Sequence, residues 1–300
     1  MAARWKKWLK RIALWVVLPF ALLVLFAHPF FAITDLSGGK VLVVEGWMPR
    51  EGLKEAAALF SQNNYDRILV TGTVRPFTYY LQAGDVIEVR FAEPVHGKLD
   101  LGTAGLPDAE WSVMADGMPL LQGGGGDVVK RDTIHLHFVR SLLISAGSAS
   151  PPADGAPVIY IGGATFDGKD LHSLTSDITI RRGNGAVEDA RPSYAHEGAL
   201  VLREAGIPAD RIQVVPTFRI EASRTLSTAH DFIAVANMNG ITRFDVATLG
   251  VHARRTRGMY RNAKGSDEGI GIIALNDPKC TRWGWWSNAT GWYRMMKEII

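Results

Sequence analysis

Cysteine is nearly absent from this chain of 300 residues, Cys280 being the only one. No intramolecular disulfide can form, and metal clusters built on several thiolates are excluded. No Gly-x-Ser-x-Gly elbow and no Walker-type loop occurs, so neither a hydrolase triad nor a P-loop nucleotide site has motif support. Acidic residues are missing from residues 1–11, where Arg4, Lys6, Lys7, Lys10 and Arg11 give +5. The whole chain is only +3, so subtracting that segment leaves −2 for the remainder. A slightly acidic body argues against nucleic acid as a partner, because that requires net basic surface. Hydrophobic residues make up 47% and charged residues 21%, an ordinary balance that supports one large folded domain or two modest ones.

Residues 12–33 (IALWVVLPFALLVLFAHPFFAI) carry no formal charge apart from His28 when protonated. Their length matches the ~20 apolar residues that cross a bilayer core. The basic flank precedes them, which places the N-terminus in the cytoplasm and the body outside. An inner-membrane, single-pass anchor is therefore expected, with a periplasmic or extracytoplasmic body. The competing possibilities are a cleaved signal peptide and a buried helix. The best cleavage point ends Phe30-Phe31-Ala32, with a bulky side chain where a small one is wanted.

Beyond a short Ser-Gly-Gly linker, Lys40–Glu45 (KVLVVE) has the unbroken apolar character of a buried parallel strand. Leu53, Ala56, Ala57 and Phe60 share one face of a helix over Gly52–Asn63, and Asp66–Thr71 is a second strand. This β-α-β opening implies a right-handed crossover and a parallel sheet. From Val74 to Asp189 the pattern changes to short strand-like runs at Val86–Phe91, Lys98–Leu101, Trp111–Met114, Thr133–Val139, Val158–Ile161 and Asp177–Ile180. Their spacing, with Gly, Pro and Asp turns between, predicts an all-β sandwich. The α/β rhythm resumes at Ser193, with helices over Tyr194–Ala205, Thr225–Asn239 and Arg254–Ala263 and strands over Arg211–Val215, Arg243–Leu249 and Gly269–Leu275. The expected organisation is a basic flank (1–11), an anchor (12–33), a discontinuous α/β domain (38–74 and 190–300) and an inserted β domain (75–189).

One strand-to-helix segment concentrates chemistry. At Asp245–Ala263 a β-rich run meets Gly250, and then His252, Arg254, Arg255, Arg257 and Arg261 open a helix. Ligands of parallel α/β sheets sit at the carboxyl ends of strands, and helix N-termini there favour anions. An imidazole with guanidiniums at such a point suits a phosphate, a carboxylate or an acidic sugar. Arg254, Arg257 and Arg261 share one side, a pattern that a solvated face also produces.

The motifs VVEGWMP (Val43–Pro49), ILVTG (Ile68–Gly72), AHEGALVLREAGIPADRI (Ala195–Ile212), SRTLSTA (Ser223–Ala229), HARR (His252–Arg255) and RWGWWSNATG (Arg282–Gly291) together resemble the SanA/ElyC/YdcF-like family of bacterial envelope proteins. The likeness is closest to the branch with a Val-Glu-Gly-Trp first strand end and a tryptophan-rich tail. It implies a Rossmann-like sheet whose strand ends form a cleft. By this resemblance Glu197, His252 and Arg255 are the candidate catalytic residues, and Gly46, Gly72 and Thr225 contribute to ligand binding; Arg254, in the basic cluster, is a further candidate ligand-binding residue. Thr73 stands where the family commonly has a second glycine, and Ser227-Thr228 where it often has Glu-Asn.

Val158–Gly185 (VIYIGGATFDGKDLHSLTSDITIRRGNG) resembles calcium-dependent xylan-binding carbohydrate modules. That resemblance implies glycan binding by the insert, with Asp167 and Asp170 as calcium ligands. In the tail, Trp283, Trp285, Trp286, Trp292 and Tyr293 suit core packing, stacking on sugar rings or a membrane interface. The expected function is envelope glycan or polysaccharide metabolism, on lipid-linked or phosphorylated intermediates. A non-catalytic scaffold in cell-wall assembly and a nucleotide- or small-molecule-binding protein are the alternatives.

Overall fold

A computed structural model describes residues 13–147, 156–190, 192–221 and 223–298. The basic flank and residues 148–155 lie outside the described residues. The chain divides into two compact units, one running to Thr73 and resuming at Tyr194, the other spanning Val74–Ser193.

The discontinuous unit is built on a parallel sheet. Its strands are β1 (Val41–Glu45), β2 (Arg67–Thr73), β3 (Ile212–Thr217), β4 (Phe244–Leu249) and β5 (Ile270–Leu275), in spatial order 3-2-1-4-5. All neighbouring pairs are parallel. The two-residue period of a strand sends alternate side chains to opposite faces. Leu42, Val44, Ile68, Val70, Ala247 and Leu249 fall on one face, packed against α2 (Arg50–Gln62) and α3 (Tyr194–Glu204). Val41, Val43, Leu69, Phe244 and Val246 fall on the other, against α4 (Arg224–Met238) and α5 (Ala253–Lys264). Both faces are covered, so β1 is buried throughout and tolerates no polar residue until Glu45.

The helices carry their own boundary signals. The Ser223 hydroxyl caps α4 by accepting from the Leu226 N–H at 3.2 Å. Gly265 ends α5 with φ of 75°, a left-handed cap that favours glycine. Leu14–Phe31 is helical, and it is long and apolar enough to cross a membrane. It opens with a π-helical turn and continues as α1 (Leu18–Phe31). Most of its side chains are exposed, but Ala27 is buried with Val251, Cys280, Trp285 and Met295. The last helix, α6 (Ala289–Lys297), belongs to the same small cluster through Met295.

The second unit is antiparallel β. Three of the expected short strands lie within two longer ones: Val86–Gly105 and Lys130–Ala146 each run continuously and pair with one another. Their register shifts between Arg90 and Val95, where Pro94 has no N–H for the ladder. Because these long strands pair with neighbours on both sides of that irregularity, the nine strands among the described residues form one hydrogen-bonded sheet instead of two separate ones. A single apolar core runs through it, from Phe77 and Ile87 to Leu142, Ile161 and Ile178.

Candidate functional site

β1 and β4 are neighbours, but their chains leave the sheet in opposite directions, β1 towards α2 on one face and β4 towards α5 on the other. That divergence opens a crevice at the carboxyl ends of the strands, where ligands of such sheets bind. A cleft of about 610 Å³ lies there. Trp47 follows β1, Thr73 closes β2, and Arg224, Thr225 and Thr228 come from α4. His252 and Arg255 come from the β4–α5 junction, and Tyr293, Arg294, Lys297 and Glu298 from the end of the chain.

The chemical centre is a histidine between two carboxylates. His252 Nδ1 lies 2.9 Å from Glu298 Oε1, with both side chains largely buried. Behind it, Glu45 is buried at the end of β1 and accepts a hydrogen bond from Thr248. Burial pushes the Glu45 carboxyl above its ordinary range, opposed by His252 and by the Thr248 and Trp47 donors. Burial would by itself lower the His252 pKa. The Glu298 hydrogen bond and the charges of Glu45 and Glu298 outweigh it, so the imidazole is held above its ordinary value. The Trp47 ring meets His252 edge-on, centroids 5.5 Å apart. Glu298 thus fixes the Nδ1–H form and ring orientation. Nε2 makes no hydrogen bond among the described residues, which leaves it to exchange a proton with whatever occupies the cleft. Glu298 Oε2 is buried and also without a partner there.

The surrounding wall is cationic. Arg294 is paired with Asp277, whereas Arg224, Arg255 and Lys297 have no carboxylate partner among the described residues. Arg255 donates to the Lys297 carbonyl at 3.4 Å, and the Lys297 ammonium lies 5.5 Å from the Tyr293 ring centre. The Thr228 hydroxyl donates back to the carbonyls of Arg224 and Thr225 within its own helix. Such an arrangement suits acid–base chemistry and anion binding, and among the described residues no hydroxyl is hydrogen-bonded to His252.

Of the residues expected from the sequence, His252, Arg255 and Thr225 line this cleft. Glu197 does not. It sits in the first turn of α3, whose buried face includes Ala195, Gly198, Ala199 and Leu202, and the carboxylate in contact with His252 is Glu298, with the charge of Glu45 also acting on the ring. Arg254 is also corrected: its guanidinium lies 4.0 Å from the Phe30 ring centre and donates to the Phe30 carbonyl, gripping the end of α1. Gly46 and Gly72 act by close packing. A Cβ on Gly46 would lie 2.2 Å from the Tyr194 carbonyl oxygen, and one on Gly72 would lie 2.5 Å from the Ala195 nitrogen. Both glycines let α3 come down on the strand ends. Glu298 and Thr248 were not singled out by sequence, and Glu45 and Trp47 stood in the Val-Glu-Gly-Trp motif without being given a role.

Asp167 and Asp170, the expected calcium ligands, are both engaged by backbone donors. Asp167 Oδ1 accepts the Lys98 N–H at 2.9 Å, and Asp170 accepts from the Phe77 and His172 N–H groups, both at 3.0 Å. Backbone donors hold these oxygens, and no group of three or more His, Cys, Asp or Glu occurs at metal-binding distance among the described residues. The β unit instead carries a polar cleft of about 450 Å³ beside exposed Tyr80, lined also by Gln82, Arg182, Asn184 and Glu188. Tyr80 stacks on Tyr160 with ring centroids 4.9 Å apart and planes inclined by 30°.

No protein-family model and no curated protein matches the chain. Among solved structures, CBM51-2 in complex with GlcNAc and INT domains from Clostridium perfringens ZmpB is similar to 27% of this chain, over 20% of its own, at 11% identity and TM-score 0.23. Carbohydrate-Binding Module CBM36 in complex with calcium and xylotriose covers 30% of this chain and 77% of its own, at 18% identity and TM-score 0.21. A family two carbohydrate esterase from Clostridium thermocellum, an active-site mutant, covers 69% and 90%, at 8% identity and TM-score 0.23. This chain spans about a fifth of the first of these. At these values neither the fold nor the activity of those proteins transfers to it.

Proposed function

We propose that this is a single-pass membrane protein of the SanA/ElyC/YdcF-like kind, anchored by Leu14–Phe31, whose extracytoplasmic Rossmann-like cleft binds phosphorylated or pyrophosphate-linked glycan intermediates. One observation carries the site: the buried His252–Glu298 pair stands beside Arg224, Arg255 and Lys297 at the β1/β4 divergence. Guanidiniums bind phosphoryl oxygens in bidentate fashion, and His252 supplies or removes a proton at the bound group. Trp47, Tyr194 and Tyr293 offer faces for a sugar ring. In the insert, glycan binding is assigned to the Tyr80–Tyr160 platform with Arg182, Asn184 and Glu188 beside it.

Calorimetric titration of the purified protein with inorganic pyrophosphate and with N-acetylglucosamine 1-phosphate tests the cleft. Losing one charge-assisted contact costs about 1.5–3 kcal/mol, so Arg255→Ala is expected to weaken binding by roughly tenfold to a hundredfold. Failure of the wild-type protein to bind either anion refutes the assignment. Retention on insoluble xylan, compared between wild type and Tyr80→Ala, tests the insert separately.

A further inference from the structure

We infer that the C-terminal tail is a second membrane contact: Trp283, Trp286 and Tyr293, with Lys279, Arg282 and Lys297, lie in the anionic headgroup layer of the bilayer that α1 crosses. This rests on α1 being the anchor. It goes further by placing the mouth of the cleft at the lipid surface.

The tail aromatics divide into two sets. Trp285 is fully buried against Ala27 of α1 and Met295 of α6, and Trp292 packs on it with ring centroids 4.9 Å apart. Those two are core. Trp283 and Tyr293 are 62% and 63% exposed, and Trp286 is 42% exposed. Burying large aromatic rings is strongly favourable in water, so a cluster left exposed marks an interaction surface. Tryptophan and tyrosine favour the membrane–water interface, where the ring is apolar and its polar edge stays wet.

The structure ties this cluster to the point where α1 would leave the hydrocarbon. In its last turns His28 Nε2 lies 3.0 Å from the Cys280 carbonyl oxygen, and Arg254 grips Phe30. The tail is thus fastened to the emerging end of the apolar helix. Charge selects the occupant. Residues 279–298 hold Lys279, Arg282, Arg294 and Lys297 and a single acid, Glu298, which is turned inward to His252, while the chain beyond residue 11 is net −2. A basic, aromatic face beside an apolar helix complements anionic lipid. Arg282 and Lys297 lie over the Trp283 and Tyr293 rings at 5.0 and 5.5 Å, so each of these exposed aromatics carries a cation beside it. Tyr293 and Lys297 also line the cleft, so the proposed contact would bring its rim to the lipid.

Spin labels on the full-length protein in phosphatidylglycerol-containing bilayers test this. Cys280 is fully buried and stays unlabelled. Labels are placed at Ser287→Cys beside the tail tryptophans, at Leu22→Cys within α1, and at Asp210→Cys on a remote exposed turn. Expected is interfacial depth at position 287, with high accessibility to oxygen and reduced accessibility to a water-soluble nickel chelate. Position 22 should read the hydrocarbon and position 210 water. Replacing Trp283 and Trp286 together by serine should return position 287 to aqueous accessibility. A position-287 label as aqueous as the one at 210, with 22 still in hydrocarbon, overturns the tail contact alone. Shielding at 287 from both relaxants means that protein covers the face, and also overturns it. An aqueous signal at 22 removes the anchor and this inference together.

Discussion

Replacing Glu298 by glutamine isolates the interaction on which the cleft depends. The side chain keeps its shape and one acceptor for His252 Nδ1, 2.9 Å away, but loses its charge. Full removal of one partner from a buried ion pair costs about 3–5 kcal/mol. With an acceptor retained and His252 still partly accessible, the charge-assisted share is expected to be about 1–2 kcal/mol. For a domain of this size that lowers Tm by about 2–8 °C. The sign with pH follows from the raised His252 pKa. A folded-state value above the unfolded one means that the stabilisation is fully present below the ordinary histidine value of about 6.5. It is lost as pH rises through the folded value. The difference in Tm between wild type and Glu298→Gln should therefore be largest on the acid side of 6.5 and shrink towards alkaline pH. Calorimetric melts across pH measure it, and NMR titration of the His252 ring gives the pKa directly. A wild-type His252 that titrates at or below its ordinary value, with no shift in the variant, refutes the pairing and the acid–base role built on it.

Gly46→Ala places a methyl group against the Tyr194 carbonyl, and a loss of at least about 2 kcal/mol is expected from overpacking, read by chemical denaturation. An unchanged midpoint would show that α3 does not rest on that strand end. Arg254→Ala should leave pyrophosphate affinity intact and cost about 1 kcal/mol of stability, whereas Arg255→Ala should do the reverse. Equal loss of affinity in both would return Arg254 to the binding set. Asp170→Asn should destabilise the β unit by about 1–2 kcal/mol, because its carboxylate serves the Phe77 and His172 N–H groups. Calcium or chelator should leave wild-type melting unchanged, and a calcium-dependent rise in Tm would contradict this.

The parallel strands were legible because their evidence is local. Val41–Glu45 is apolar at every position before its carboxylate, and only a strand covered on both faces rewards that pattern. The α2 segment showed itself by the shared face of Leu53, Ala56, Ala57 and Phe60, and His252 and Arg255 by their place after β4. In the insert the same method broke long strands into short ones. Gly97 and Pro94 read as turns, whereas Val86–Gly105 passes through them with a register shift. Pairing with Lys130–Ala146 holds the strand together there, and no local pattern records it.

Sequence alone settled the classes of residue available: an apolar helix, a basic cluster after a buried strand, one cysteine and a tail rich in tryptophan. Which of them meet was decided in three dimensions. Glu298 reaches His252 across 46 residues, and Thr248 meets Glu45 across 203. Glu197, which stands in a motif, is not among the residues that line the cleft, and the buried face of its helix is made of small residues and Leu202. Arg254 and Arg255 are adjacent in the chain, yet a helix turns about 100° per residue, so one grips α1 and the other lines the cleft. Periodicity and composition act over a few residues, whereas a site is made where packed elements bring distant ones together.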